Sequence, residues 1–298
     1  MDETQPIISS ISDCIPNVRF RSHAFKQSQL RRRNMAVVEL ERPDPDIALL
    51  RLNRPDRMKA INFDLVADLH SKLDEIALDD ACKVVVLTGS GRAFCSGLDL
   101  KDWGELPAVG EHPDRRAGST GQSFMSSLTV HLRNTPQIVI ASVNGPAYGG
   151  GMALSLACDL RLAGTSASFC SAFIRTGLTG TDIGISYFLP RLIGASRAFD
   201  LMVTGRAIDA QEALQMGIVS RVFADEELSH ETLELARGVA GYTATGLRMT
   251  KEAMWANLDA PNLQSCLALE NRNQDLAGAS TEVQEYMRSY RSRIGTTS

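Results

Sequence analysis

The sequence predicts an α/β protein that ends in a helical region. From Ala36 onward, short apolar runs typical of strands alternate with segments whose apolar residues recur at helical spacing. After Asp225 nearly every signal is helical. An alternating part followed by an all-helical part indicates two unequal units. We therefore expect a β/α core over residues 35–224 and a helical region over residues 225–298, preceded by a tail of residues 1–34.

Composition limits the class of protein. Of the 298 residues 44% are hydrophobic and 22% are charged, which excludes a disordered chain and allows a sizeable core. The net charge of -4 gives no overall field that would attract nucleic acid or anionic lipid. No segment approaches the roughly 20 apolar residues of a spanning helix, so we expect a cytoplasmic protein without membrane contact. The six cysteines form no CxxC pair and no zinc-finger spacing, so we expect reduced thiols and no metal site.

The first 34 residues differ from the rest of the chain. Serine and arginine are scattered there without apolar periodicity, which predicts a disordered basic tail. Organellar transit peptides share this composition, and such a leader would direct the protein to an organellar matrix, but Asp2, Glu3 and Asp13 weigh against that alternative. Only Arg31–Arg33 offers local support for RNA binding, and we expect no nucleic-acid partner.

The core begins with a hairpin and a helix. Residues 36–40 and 47–52 are strand-like runs joined by the turn-forming segment 42–46, which indicates two antiparallel strands. Asn62 can cap the helix that follows, because its side-chain oxygen can accept a hydrogen bond from an unpaired backbone N–H of the first turn. The buried face of this helix would carry Val66, Leu69, Leu73 and Ile76.

Later elements are signalled in the same way. The β-branched runs 83–89 and 138–143 are typical of strands covered on both faces, and residues 103–122 between them indicate a long mobile loop. Asp209 and Gly217 bracket a further helix, and residues 219–223 begin a last strand. The helices expected in the C-terminal region are residues 227–239, 245–258, 263–276 and 283–294.

Two glycine-rich turns are the best candidates for a functional site. Residues 93–100 and 143–152 each follow a buried-type strand and lead into a helix. Glycine lets the backbone approach a ligand, and a helix N-terminus offers unpaired N–H groups, so two such turns can direct two donors at one developing oxyanion. This arrangement is typical of acyl chemistry without a protein nucleophile. Alternatively, the glycines only permit tight turns and close helix packing.

Taken in order with Leu52–Pro55 and Ala60–Asn62, the two turns resemble the crotonase superfamily, the enoyl-CoA hydratases and isomerases. The resemblance runs from about Val37 to the C-terminus. It implies a spiral of ββα units whose helical C-terminal region forms trimers, often paired into hexamers. Further matching segments are Cys158–Arg161, Leu189–Arg191, Leu201–Gly205 and Ala213–Val219.

The resemblance also implies a site. The backbone N–H groups of Leu98 and Gly150 would bind the thioester carbonyl oxygen and stabilise a CoA-thioester enolate. No separate cofactor is implied, since coenzyme A is part of the acyl-CoA substrate. Backbone near Ala60 and Ser96 would contact the adenine of coenzyme A. Three basic residues are candidates for contact with its phosphates, or for plain solvated surface: Arg57, Lys59 and Lys101.

The sequence departs from the family at the acids that exchange protons. Hydratases of the family carry two glutamates at the positions of Ala153 and Phe173, and neither residue here can exchange a proton. Asp182 stands where the dienoyl-CoA isomerase branch has a catalytic aspartate, although an aspartate between glycines can also act as a helix cap. Arg175, in the same segment, could pair with Asp182 or bind an acidic acyl group.

These residues lead to one main hypothesis and two alternatives. The main one is an acyl-CoA-processing enzyme of the enoyl-CoA hydratase/isomerase type, acting in fatty-acid or related acyl-CoA metabolism as a homotrimer or hexamer. The first alternative is an enoyl- or dienoyl-CoA double-bond isomerase that uses a single acid. The second is an acyl-CoA-binding member of the family that has lost catalysis.

Overall fold

The computed structural model describes residues 36–113, 115 and 120–295. The expected tail of residues 1–34 lies outside the described residues. The strands are β1 (Val38–Asp44), β2 (Ile47–Leu52), β3 (Val84–Gly89), β4 (Ile138–Val143), β5 (Pro146–Tyr148), β6 (Leu160–Gly164), β7 (Ser168–Cys170), β8 (Ala207–Asp209) and β9 (Arg221–Phe223). The helices are α1 (Phe63–Ala77), α2 (Gly121–Asn134), α3 (Gly150–Ala157), α4 (Ile185–Ile193), α5 (Ala195–Thr204), α6 (Ala210–Met216), α7 (Leu228–Ala240), α8 (Ala244–Asn257), α9 (Leu263–Ala279) and α10 (Thr281–Gly295).

Six strands form the main sheet in the order β1-β2-β3-β4-β6-β9. The pair β1/β2 is the antiparallel hairpin that the sequence predicts, with β1 running on to Asp44, and every later pair in this sheet is parallel. All six residues of β3 are buried, as the β-branched run indicates. Alternate side chains of β3 enter two different cores, Val85 and Leu87 on one face and Val84 and Val86 on the other.

A second, three-stranded sheet holds β5, β7 and β8. Its strands have three residues each, too few to show a periodicity, and no local pattern in the sequence predicts them. Strands β5 and β7 pair in parallel, and Tyr148 lies opposite Cys170. This sheet matters for the site because β5 ends directly before Gly149 and Gly150, at the start of α3.

The structure corrects the expected boundary at residue 225. Helix α7 is not part of a separate helical region, because Leu228, Ala236 and Ala240 pack in the core with Val84 and Val86. It covers the face of the main sheet opposite to α1 and α2, and without it that apolar face would lie in water. The described residues from Val37 onward form one compact unit.

Candidate active site

The two glycine-rich turns meet at the start of α3. Cys95 bridges to Ala147 in a parallel pairing, and Tyr148 N donates to Cys95 O at 2.9 Å. A Cβ atom built on Gly97, whose φ is +92°, would lie 2.7 Å from Tyr148 O and 3.4 Å from Gly150 N. Only glycine fits at this position, since any side chain would force the two turns apart.

The backbone N–H groups of Leu98 and Gly150 lie at this junction. Ile61 pairs with Leu98 in a parallel bridge in which Ile61 N donates to Gly97 O and Asp99 N donates to Ile61 O, so the N–H of Leu98 points to the other side. Gly150 is the first residue of α3 and has no partner within that helix. Among the described residues neither N–H donates a hydrogen bond, and both are therefore free to bind an oxyanion.

Apolar side chains surround the two donors. A Cβ atom built on Gly150 would lie 2.7 Å from Ile61 Cδ1 and 3.3 Å from Ile183 Cδ1, and one built on Gly149 would lie 3.5 Å from the ring of Phe173. Ala153 is fully buried in the next turn of α3. Phe173, at one of the two positions of the family's glutamates, therefore packs beside Gly149, and Ala153, at the other, lies in the helix that Gly150 begins. Hydrogen bonds to a developing charge are stronger in such apolar surroundings than in water.

Asp182 lies next to this site. It immediately precedes Ile183, whose side chain contacts Gly150, and its Oδ1 accepts hydrogen bonds from Ile183 N at 2.7 Å and from Gln122 Nε2 at 2.5 Å. Burial raises the pKa of the Asp182 carboxyl above its usual value, while these two hydrogen bonds act in the opposite direction. A carboxyl group with a raised pKa is better suited to give up a proton as well as to take one.

The backbone beside Asp182 is strained. Ile183 has a φ of +48°, a conformation that a β-branched residue rarely adopts, and its side chain is almost fully buried. Gly184 follows with a φ of +87° and is the N-cap residue that precedes α4. Strain of this kind is found mainly where the surroundings hold a functional segment in place. Here it directs the side chain of Ile183 at the oxyanion donors and leaves Asp182 at the rim of the site.

Arg175 does not pair with Asp182, which corrects that expectation. The side chain is exposed and packs beside Gly205, where a Cβ atom built on the glycine would lie 3.2 Å from Arg175 Cγ. Asp182 accepts instead from the neutral amide of Gln122. The segment Ala172–Thr176 forms a short 3-10 helix, which turns Phe173 inward and the residue two positions later outward.

The residues expected to contact coenzyme A are distributed unevenly. Ala60 and Ser96 come together, because Ser96 N donates to Met58 O at 3.1 Å and Ile61 N donates to Gly97 O along the same pair of segments. Arg57 is half-buried and Lys101 is exposed, both on these segments. Their side chains are close enough to the surface to meet a phosphate group.

Lys59 corrects the expectation of a surface cation. The residue is only 2% exposed, and a Cβ atom built on Gly91 would lie 3.6 Å from its Nζ. Burial lowers the pKa of the Lys59 ammonium group, while the nearby Cys95 thiol acts in the opposite direction. The cause is local backbone geometry: Met58 and Lys59 both have positive φ, 51° and 56°, and this bend turns the lysine side chain inward.

Two other acids near the glycine-rich segments have structural roles. Asp99 lies 3.0 Å from Arg54 Nη2, and its Oδ1 accepts from the backbone N–H groups of Lys101 and Asp102. Asp159 is held by Lys251 at 2.8 Å. The structure accounts for both carboxylates without a substrate. Among the described residues no group of three or more His, Cys, Asp or Glu side chains is arranged to hold a metal ion, and no helix there is long and apolar enough to cross a membrane.

Gln122, Ile61 and Ile183 belong to the site, and the sequence alone does not predict their roles there. Gln122 lies 60 positions before its partner Asp182, on a helix that follows a long loop, and nothing in the local sequence marks it. Ile61 belongs to a segment that the resemblance includes, but its side chain had no signal of its own. A positive φ at Ile183 is equally invisible in the sequence.

Comparison with known proteins shows the family of the chain. A sequence model of the enoyl-CoA hydratase/isomerase family matches residues 43–295. A Mycobacterium bovis protein named probable enoyl-CoA hydratase echA12 is 42% identical over 243 residues, which are 82% of this chain and 85% of that protein. The 1,2-epoxyphenylacetyl-CoA isomerase of Escherichia coli is 35% identical, over 83% of this chain and 92% of its own length.

Solved structures give the same result for the fold. A probable enoyl-CoA hydratase/isomerase from Mycobacterium abscessus superimposes with a TM-score of 0.77 at 38% identity, covering 87% of this chain and 96% of that one. A monofunctional enoyl-CoA isomerase from M. smegmatis gives 0.66 at 39% identity, covering 78% and 99%. These likenesses confirm the expected crotonase-like α/β fold with its helical C-terminal region. The chain therefore belongs to the enoyl-CoA hydratase/isomerase family, and it is an enzyme that processes acyl-CoA thioesters.

Proposed function

We propose that the enzyme moves a carbon–carbon double bond in an enoyl- or dienoyl-CoA thioester, with Asp182 as the single proton carrier. The observation that carries this proposal is the position of Asp182, one residue from the side chain that contacts Gly150. Ala153 and Phe173, which stand at the positions of the two hydratase glutamates, supply no acid or base.

The reaction needs one carboxylate and one oxyanion hole. Asp182 removes a proton from a carbon of the acyl chain, and the electron pair of the broken C–H bond shifts through the conjugated system to the thioester oxygen. The N–H groups of Leu98 and Gly150 stabilise the resulting enolate. The carboxyl group then returns the same proton to a different carbon, the thioester carbonyl re-forms, and no atom is gained or lost.

Burial at the site favours this use of a carboxyl group. An aspartate with a raised pKa can accept a proton from an activated carbon and release it again without a second acid. The apolar side chains of Ile61, Ile183 and Phe173 restrict access of water to the enolate. Loss of the acid should therefore remove turnover while leaving the binding of the CoA ester intact.

Hydration is the second candidate, since four of the compared mycobacterial proteins are named probable enoyl-CoA hydratases. The two candidates differ in product mass. A panel of 2-enoyl-, 3-enoyl- and dienoyl-CoA esters should be incubated in ordinary and in heavy-oxygen water with wild type and with Asp182→Asn. A mass-neutral bond shift that the variant loses supports isomerisation. Incorporation of water oxygen would overturn it in favour of hydration, and binding without turnover on any ester would leave an acyl-CoA-binding protein.

A further inference from the structure

The amide of Gln122 and the carboxyl of Asp182 form a contact that neither helix capping nor core packing requires. Gln122 is the second residue of α2, and its Nε2 donates to Asp182 Oδ1 at 2.5 Å. The N-terminus of α2 is already capped by Thr120, whose Oγ1 accepts from Ser123 N at 3.2 Å. The side chain of Gln122 is therefore not needed as a cap, and it reaches across to the rim of the active site.

The two oxygens of the Asp182 carboxyl are not equivalent. Oδ1 accepts both hydrogen bonds, from Gln122 and from the backbone N–H of Ile183 at 2.7 Å. Oδ2 accepts none from the described residues. Two donors on one oxygen fix the plane of the carboxyl group and occupy the lone pairs of that oxygen. The other oxygen keeps its lone pairs for a proton that arrives from outside the protein.

We propose that Gln122 is a positioning residue for proton transfer: it holds Oδ1 of Asp182 so that Oδ2 takes the proton from one substrate carbon and delivers it to another. This inference rests on the proposed isomerase function. In this arrangement Oδ2 of Asp182 is the reacting oxygen, and Gln122 acts through Asp182 without touching the reacting atoms.

A neutral amide suits this role better than a charged donor. A lysine or arginine at position 122 would strongly favour the ionised form of Asp182 and weaken it as a base. A carboxylate at position 122 would repel the carboxylate of Asp182. The amide orients Asp182 at a small electrostatic cost. The hydrogen bond from Gln122 lowers the pKa of Asp182 and so offsets part of the effect of burial. Its removal should move the acid limb of the pH–rate profile.

The test is a charge series at position 122, measured as kcat, KM and the pH dependence of kcat/KM on whichever ester of the panel the wild type isomerises. Gln122→Met keeps the size of the side chain but removes the donor. Gln122→Glu adds a second carboxylate, and Gln122→Lys restores a donor with a positive charge. Gln211→Met is the matched control, because Gln211 is an exposed glutamine on α6, away from the site.

Gln122→Met should lower kcat by about 10- to 100-fold with little change in KM, the order of effect of a misplaced catalytic group. The acid limb of the pH–rate profile should move up by about one pH unit in Gln122→Met. In Gln122→Glu it should move further, because a like charge disfavours ionisation of Asp182. Gln122→Lys should move the limb down and recover part of the kcat lost in Gln122→Met. Gln211→Met should match the wild type.

The results distinguish the positioning role of Gln122 from the proposed isomerase mechanism. If Asp182→Asn loses turnover while Gln122→Met keeps the wild-type kcat and acid limb, the positioning role is wrong and the isomerase mechanism stands. If Gln122→Met loses activity but Gln122→Lys recovers none and shifts no limb, the residue is only structural. If Asp182→Asn retains turnover, or no ester of the panel is isomerised by the wild type, both proposals are overturned.

Discussion

Lys251 and Asp159 form a buried ion pair, with Nζ of the lysine 2.8 Å from Oδ2 of the aspartate. The pair joins helix α8 to the residue just before strand β6. Nζ also donates to Gln137 O at 2.9 Å, and the carboxyl accepts from Val139 N at 2.7 Å and from Trp255 Nε1 at 2.8 Å. Burial lowers the pKa of the Lys251 ammonium group, whereas the charge of Asp159 acts in the opposite direction.

We expect Lys251→Met to destabilise the protein by about 3 kcal/mol, because it leaves the Asp159 carboxylate buried without its counter-charge. Urea unfolding measures this free energy directly. Lys72→Met is the matched control, since Lys72 forms an exposed pair with Glu75 and its loss should cost less than about 1 kcal/mol. Equal losses in the two variants would contradict a stabilising role for the buried pair.

Three histidines meet between α1 and α2, and they should make stability depend on pH. His70 is fully buried, its Nδ1 lies 2.6 Å from His131 Nδ1, and its ring centre is 5.1 Å from that of His112. Burial, assisted by the two neighbouring histidines, lowers the pKa of His70 from 6.5 to about 3, although Asp74 acts in the opposite direction. Below pH 6.5 the unfolded chain therefore binds a proton that the folded protein excludes.

Stability should consequently fall as the pH decreases from 6.5 towards 3, by up to about 1.4 kcal/mol per pH unit from this residue. Urea unfolding at pH 7, 6 and 5 measures the slope. His70→Leu should flatten it, whereas the same change at the exposed His230 on α7 should not. A slope that is unchanged in His70→Leu would assign the pH dependence to other groups.

Much of the fold could be predicted because its signals are local. The fully buried strand β3 is an apolar β-branched run in the sequence, and the cap at Asn62 is a short-range hydrogen bond, from Leu65 N at 3.0 Å. Asp209 caps α6 in the same way, from Glu212 N at 2.8 Å. Each of these depends on residues within a few positions of one another, which is the range over which sequence patterns are informative.

What could not be predicted depends on distant residues or on unusual backbone angles. The hydrogen bond from Gln122 to Asp182 joins residues on two segments that meet only in the folded protein. The sequence predicts Lys59 to be a surface cation, since lysine is almost never buried without a partner. In the structure the positive φ angles at Met58 and Lys59 turn its side chain inward. The strain at Ile183 has no sequence pattern at all, because β-branched residues are normally excluded from that conformation.

The close approach of Gly97 to Tyr148 and Gly150 should be essential for catalysis. Gly97→Ala would place a Cβ atom 2.7 Å from Tyr148 O, so the two turns must separate and the proposed oxyanion donors, the N–H groups of Leu98 and Gly150, must move. We expect kcat to fall by about 100- to 1000-fold, the effect of losing one oxyanion-hole donor. Steady-state kinetics on the ester panel measures it.

Gly177→Ala is the control for backbone strain alone. Gly177 also has a positive φ, +80°, but nothing lies within 4 Å of a Cβ atom built on it. We expect this variant to lose some stability and to retain its kcat. If Gly177→Ala and Gly97→Ala reduce kcat equally, then strain, and not separation of the two turns, explains the loss.

The apolar surface of α9 and α10 should be covered by other copies of the chain. Both helices carry large apolar side chains at 44% exposure or more, which single chains rarely display in such density. We expect light scattering to give a mass of three or six times the 32.4 kDa of one chain. Leu267→Glu should lower that mass, because a buried unpaired charge opposes association. Leu78→Glu is the control, since Leu78 is an exposed leucine outside these helices, and it should leave the mass unchanged. A monomeric wild type, or a Leu267→Glu variant of unchanged mass, would contradict the prediction for this surface. The side chains concerned are Leu263, Leu267, Leu276, Met287, Tyr290 and Ile294.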